Sequence, residues 1–144
     1  MEKAVVFLAD GLEEIEGLTV VDLAAQDLLV LPGGMLGTTN LGNHAGMVGE
    51  IRKFYEEGKK IAAICAAPYV FGQMGILKGR EATCYPGMES KLTGAKVVQT
   101  EVAVSDHVAT SRGVGTAIPF ALSLVSQLLD QPTVDALEKS IVYV

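Results

Sequence analysis

The sequence predicts an α/β sandwich built on a mostly parallel sheet. Three apolar runs, Ala4–Ala9, Asp27–Leu31 and Lys60–Ile64, are short, close to continuous and free of the polar alternation of a half-exposed strand. That pattern belongs to strands covered on both faces. Segments of helical length and periodicity alternate with the strands, as crossover connections between parallel strands require. No internal repeat and no linker interrupts the order, so the chain reads as one domain.

The first strand, AVVFLA, stops at Asp10-Gly11. A helix is expected from Glu13 to Ala25, with Ile15, Leu18, Val21 and Leu23 inward and the acidic residues in the first turns, where the helix dipole favours them. The second strand, DLLVL, ends at Pro32-Gly33-Gly34, and the glycine-rich stretch from there to Asn43 reads as a loop. A helix over Ala45–Glu57 is closed by Gly58, a helix-stop glycine. The third strand, KIAAI, passes through Cys65 into a segment of small residues that reads as a helix with Pro68 in its first turn. Weaker strands are expected at Glu81–Cys84, Lys96–Val98, Val102–Val104 and His107–Thr110. A strongly apolar helix over Thr116–Leu129 and a short one over Val134–Lys139 complete the order.

One junction is too tight. Gln26 alone separates the first helix from the second strand, where helix-to-strand loops take about 2–6 residues. Ala25–Gln26 is therefore read as the site of a deletion or a missing segment.

With 144 residues, 49% of them hydrophobic and 19% charged, the chain buries one real core without disulfides or structural metal. Eleven basic against seventeen acidic residues give a net charge of −6, which argues against nucleic acid, whose phosphates call for a basic face. No run of about 18 apolar residues suggests a membrane span. The N-terminus turns acidic within a few residues and is expected to be a strand rather than a signal peptide. Two cysteines, Cys65 and Cys84, fit a reducing cytoplasm.

Cys65 is the leading chemical candidate. In Ala63-Ile64-Cys65-Ala66-Ala67-Pro68 a buried strand stops, one residue turns and a helix begins. This is the layout of a nucleophile elbow, with Ala63 and Ala67 at the small-residue positions. A cysteine facing a helix N-terminus is favoured as the thiolate, and the Ala66 N–H would point where an oxyanion forms. The alternative is an ordinary buried apolar cysteine. Gly33 and Gly34 follow a strand at its C-terminal end, the edge where open α/β sheets bind ligands, and Gly34 would supply a second backbone donor. Glu16 is the first-helix acid nearest the apolar face. Turned inward beside a thiolate it would stay protonated and donate to sulfur. Ser111 and Arg112 would support the same edge from a late strand.

His44 and His107 read as surface residues, and neither stands beside Cys65 in sequence. No metal-ligand spacing, P-loop or complete dinucleotide fingerprint occurs, so neither metal nor cofactor is expected.

Four stretches in order resemble the ThiJ/PfpI superfamily, in the branch of the parkinsonism-associated protein deglycase and its bacterial relatives. They are FLADGLEEIE (7–16), LVLPGGMLGTTNL (29–41), KKIAAICAAPYVFGQMGILKG (59–79) and ATSRGVGTAIPFAL (109–122). The resemblance implies a flavodoxin-like three-layer sandwich and a homodimer. It maps the reactive cysteine onto Cys65, the protonated carboxyl onto Glu16, and the backbone donors onto Gly34 and Ala66. It also implies that a βαβ-sized piece of roughly 30 residues is missing at Ala25–Gln26. Two departures bear on chemistry. Ala66 follows Cys65 where several relatives carry histidine, and Tyr85 stands in TCYPG where some members have histidine, so a protease-like Cys–His pair is not expected.

The expected function is that of a cysteine-dependent enzyme of glyoxalase or deglycase type. Its partners would be small carbonyl substrates or carbonyl-modified protein side chains. The alternatives are a redox-sensing or chaperone protein in which Cys65 is oxidised without turnover, and a minimised or engineered scaffold without activity.

Overall fold

The structure is a computed structural model that describes residues 4–6 and 27–143. The predicted helix Glu13–Ala25, the junction at Ala25–Gln26, the continuation of the first strand to Ala9, and Glu16 lie outside the described residues.

The main sheet is built from β1 (Ala4–Val6), β2 (Leu28–Leu31), β3 (Lys60–Ile64), β6 (Val102–Ser105) and β7 (Val108–Ser111), in the order β1-β2-β3-β7-β6. The first four strands in that order are mutually parallel, and only β6 runs antiparallel, against β7. Parallel strands need coverage on both faces, and the side chains alternate accordingly. Leu29, Leu31, Ile61, Ala63 and Val108 point to one face. There they meet Leu41 of α1 (Met35–Asn43), Ile51 and Phe54 of α2 (Ala45–Glu56), and Val70 and Phe71 of α3 (Pro68–Gln73). Leu28, Val30, Ala62, Ile64 and Ala109 point to the other face, against Ala117, Phe120 and Leu124 of α4 (Ala117–Ser126). Helix, sheet and helix form the three-layer α/β sandwich expected from the sequence. A last helix, α5 (Gln131–Ser140), is capped by the Asp130 carboxylate, which accepts from the Thr133 N–H.

The stretch after Gly34 is helix α1, not the loop expected from its glycines. Gly37, Thr38 and Leu41 are buried where it packs against α2 and α3, and that packing outweighs the poor helix propensity of its glycines. The weak strands at 81 and 96 are short, as β4 (Glu81–Ala82) and β5 (Lys96–Val97), and pair with each other in a separate two-stranded parallel sheet. His107 is not a surface residue. It sits in the β6–β7 turn with its side chain only 17% exposed, Nδ1 2.9 Å from the Asp106 carboxylate and its ring centroid 5.1 Å from that of Tyr55 at a tilt of 32°. His44 is exposed, and its Nδ1 accepts from the Met47 N–H to cap α2. Among the described residues no helix is long and apolar enough to cross a membrane.

Candidate active site

β3 carries the chain through the middle of the sheet and stops at Ile64. The next residue, Cys65, has φ 63°, a left-handed conformation that residues with a Cβ seldom adopt. Its N–H donates to Ser111 O at 3.0 Å, and its carbonyl accepts from the Tyr85 N–H at 2.8 Å. The Ala67 N–H then bonds back to Ile64 O, and Pro68 opens α3. Ala63, Ala66 and Ala67 are buried, so the elbow closes only because these side chains are small. The sequence expectation of strand, turning cysteine and helix is the observed geometry.

A left-handed φ on a residue with a Cβ costs on the order of 1–3 kcal/mol and persists where the surroundings impose it. This fixes an expected result. Cys65→Gly should be more stable in urea unfolding than Cys65→Ala by about 1 kcal/mol, because only glycine relieves the conformation. Equal stability of the two variants would show that the turn carries no such cost.

Gly34, at the end of β2, has φ 90° and precedes the first turn of α1, accepting from the Thr38 N–H at 2.8 Å. It shares a cavity of about 630 Å³ with Cys65, Tyr85, Pro86, Arg112 and the 113–116 turn. A second cavity of about 380 Å³ also opens at Cys65 and is lined by Met35, Ala66, Tyr85, Pro86, Gly87 and Met88. Gly34 and Arg112 thus share the first cavity with Cys65, and Ala66 lines the second. Gly33 is buried behind Gly34. Ser111 is fully buried and does not line the cavity. Its hydroxyl donates to Glu101 O at 2.6 Å and lies 2.7 Å from Thr116 Oγ1, which in turn accepts from the Arg112 and Gly113 N–H groups. These bonds hold the turn that forms one cavity wall.

Pro86, Met35, Met88 and Thr116 carry no site signal in the sequence, and Tyr85 enters there only as the residue standing where some family members have histidine; all five line the two cavities at the sheet edge. The 85–92 segment is seated by Gly72 of α3, where a Cβ would run into Lys91 O and crowd the backbone of Leu92 and Thr93.

The second cysteine differs in kind. Cys84 is 3% exposed and its thiol donates to Tyr85 O at 3.4 Å. Burial, reinforced by the Glu89 carboxylate and opposed by Arg112, pushes its pKa up to about 11. The unfolded thiol titrates near 9.0, so above that pH the unfolded chain releases its proton first. Stability should therefore be intact below about pH 9 and decline as pH rises to about 11. Replacing Cys84 by Ala should flatten that decline in urea melts taken across the range. An unchanged decline in the variant would assign it elsewhere. Among the described residues no cluster of three or more histidine, cysteine or acidic side chains is placed to hold a metal.

A sequence profile described as the DJ-1/PfpI family matches residues 17–127. The chain is 42% identical over 102 residues to Protein DJ-1 homolog B of Arabidopsis thaliana, covering 70% of this chain and 23% of that protein. It is 39% identical over 105 residues to Glutathione-independent glyoxalase DJR-1.2 of Caenorhabditis elegans, covering 71% and 55%. The chain thus spans about half or less of the length of these two relatives. Among solved structures, the crystal structure of Drosophila melanogaster DJ-1beta superposes with a TM-score of 0.93 at 28% identity, covering 100% of both chains.

Proposed function

The chain belongs to the DJ-1/PfpI family, and from that premise we propose that it turns over small reactive carbonyls, free or carried as adducts on protein side chains, through Cys65. The observation that carries this reading is the left-handed Cys65 at the end of β3, opening on a cavity it shares with Gly34. A relative named as a glutathione-independent glyoxalase supports the reaction class.

In this reading the Cys65 thiolate, the nucleophilic form of the side chain, adds to one aldehyde carbon of glyoxal. A C–S bond forms and the carbonyl electron pair moves to oxygen, where the Gly34 and Ala66 N–H groups hold it. The hydrogen on that carbon leaves as a proton and is returned to the neighbouring carbon, with Glu16 as the shuttle. One carbon is oxidised and its neighbour reduced, so no outside oxidant is needed. Water then breaks the C–S bond and restores the thiolate. The sum is glyoxal plus water giving glycolate plus a proton.

The test is NMR detection of glycolate from glyoxal in the absence of glutathione. Glycolate formation is expected. Peroxide oxidation of Cys65 in a protein that forms no glycolate would overturn the reading in favour of redox sensing.

A further inference from the structure

Cys65 is held in its left-handed turn by one backbone bond on each side, from its N–H to Ser111 O at 3.0 Å and from the Tyr85 N–H to its own carbonyl at 2.8 Å. The first bond is secured by strand pairing, because Ser111 ends β7, which lies between β3 and β6. The second has no strand behind it. β4 stops at Ala82, whose carbonyl accepts from the Val98 N–H at 3.0 Å, and there the chain leaves the two-stranded sheet. The next N–H, that of Thr83, donates to a side chain instead, with Thr83 N 2.9 Å from Thr110 Oγ1.

Both threonines are 1% exposed, where bulk water cannot replace a lost acceptor. Thr110 stands in register between Ala63 of β3 and Ala103 of β6, and beside these small side chains β4 packs over β6 and β7. Only Cys84 separates Thr83 from Tyr85, and it is buried with its thiol bonded to Tyr85 O. A tie made at Thr83 therefore passes along a short, buried segment to the Tyr85 N–H and on to the Cys65 carbonyl. Thr110 lines neither cavity at Cys65, so it acts through the backbone and not on a bound molecule.

Resting on the role of Cys65 given above, we propose that Thr110 is a positioning residue for the reaction. Its hydroxyl oxygen fixes Thr83, Thr83 fixes the Tyr85 N–H, and that N–H holds the Cys65 carbonyl. The adjacent residues Thr110 and Ser111 of β7 thereby grip both sides of the nucleophile. Thr110→Val keeps the branched shape and deletes the oxygen, which leaves the Thr83 N–H buried without an acceptor. The turn then relaxes, since a left-handed residue with a Cβ persists only where its surroundings impose it.

The test is amide hydrogen exchange by NMR on wild type, Thr110→Val and Thr110→Ser, with glycolate formation from glyoxal measured on the same samples. In wild type the Thr83 and Tyr85 amides should be protected. In Thr110→Val both should exchange at least about tenfold faster while the amide of Ala62, within β3, keeps its wild-type rate, a pattern that a general loss of stability does not produce. The kcat for glyoxal should fall at least about tenfold with KM within about twofold, as when a nucleophile is misplaced beside an intact cavity. Thr110→Ser restores the oxygen and should return both readings to wild type. Rapid exchange of the Thr83 amide in wild type would overturn the proposal whether or not the valine variant folds. So would unchanged Tyr85 exchange in Thr110→Val, or a serine variant that behaves like the valine one. Glycolate formed at the wild-type rate by Thr110→Val removes the positioning role and leaves the reaction standing. A wild type that forms no glycolate overturns the reaction instead, and the exchange readings, which need no turnover, still decide whether Thr110 holds the turn.

Discussion

Cys65→Ser is expected to lower kcat/KM for glyoxal by at least about a thousandfold while leaving the fold intact, the scale seen when a nucleophile is removed from a covalent mechanism. The substitution is close to isosteric, and the left-handed turn is held by two backbone bonds that do not involve the side chain, from the Cys65 N–H to Ser111 O and from the Tyr85 N–H to Cys65 O. Serine would keep the geometry and lose the thiolate, because a hydroxyl lacks the acidity of a thiol. Parallel measurements of glycolate formation and of urea unfolding separate the two effects. Turnover within tenfold of wild type would remove Cys65 from the chemistry.

Phe71→Ala is expected to destabilise the protein by about 3–5 kcal/mol, the range for deleting a fully buried aromatic ring. Phe71 is completely buried among Leu29, Leu31, Ile61 and Leu92. A domain of ordinary stability has about 5–15 kcal/mol in total, so the variant should lose a large share of it, with a melting temperature lower by about 10 °C or more. The site should suffer as well. Phe71 stands next to Gly72, the residue on which the 85–92 segment rests, and in the helix that begins three residues after Cys65. A loss below about 1 kcal/mol would mean that this face of the sheet is not the packed core described here.

The elements that could be read from sequence were those whose pattern is local. LLVL and KIAAI are uninterrupted apolar runs, and both are strands buried on two faces. The elbow was legible for the same reason, since strand, cysteine and small residues are contiguous. Helix α1 was not, because MLGTTNLGN has two glycines and two threonines and becomes helical only through what Thr38 and Leu41 pack against. The second cavity was not legible either. Met35 and Met88 are far apart in the chain and come together only once α1 and the segment after β4 reach the same sheet edge. His107 reads as a surface residue at the start of a short strand until the hairpin folds it against Tyr55 of α2.

A covalent bond between Cys65 and a carbonyl carbon is open to acid-quenched mass spectrometry of the protein during glyoxal turnover, reading the tryptic peptide Ile61–Lys78, which holds Cys65, and the peptide Glu81–Lys91, which holds Cys84. A glyoxal-derived hydroxyacetyl group is expected on the first peptide and none on the second, with the group absent in Cys65→Ser. Steady glycolate production with neither peptide modified, or with the group on Cys84 alone, would contradict it.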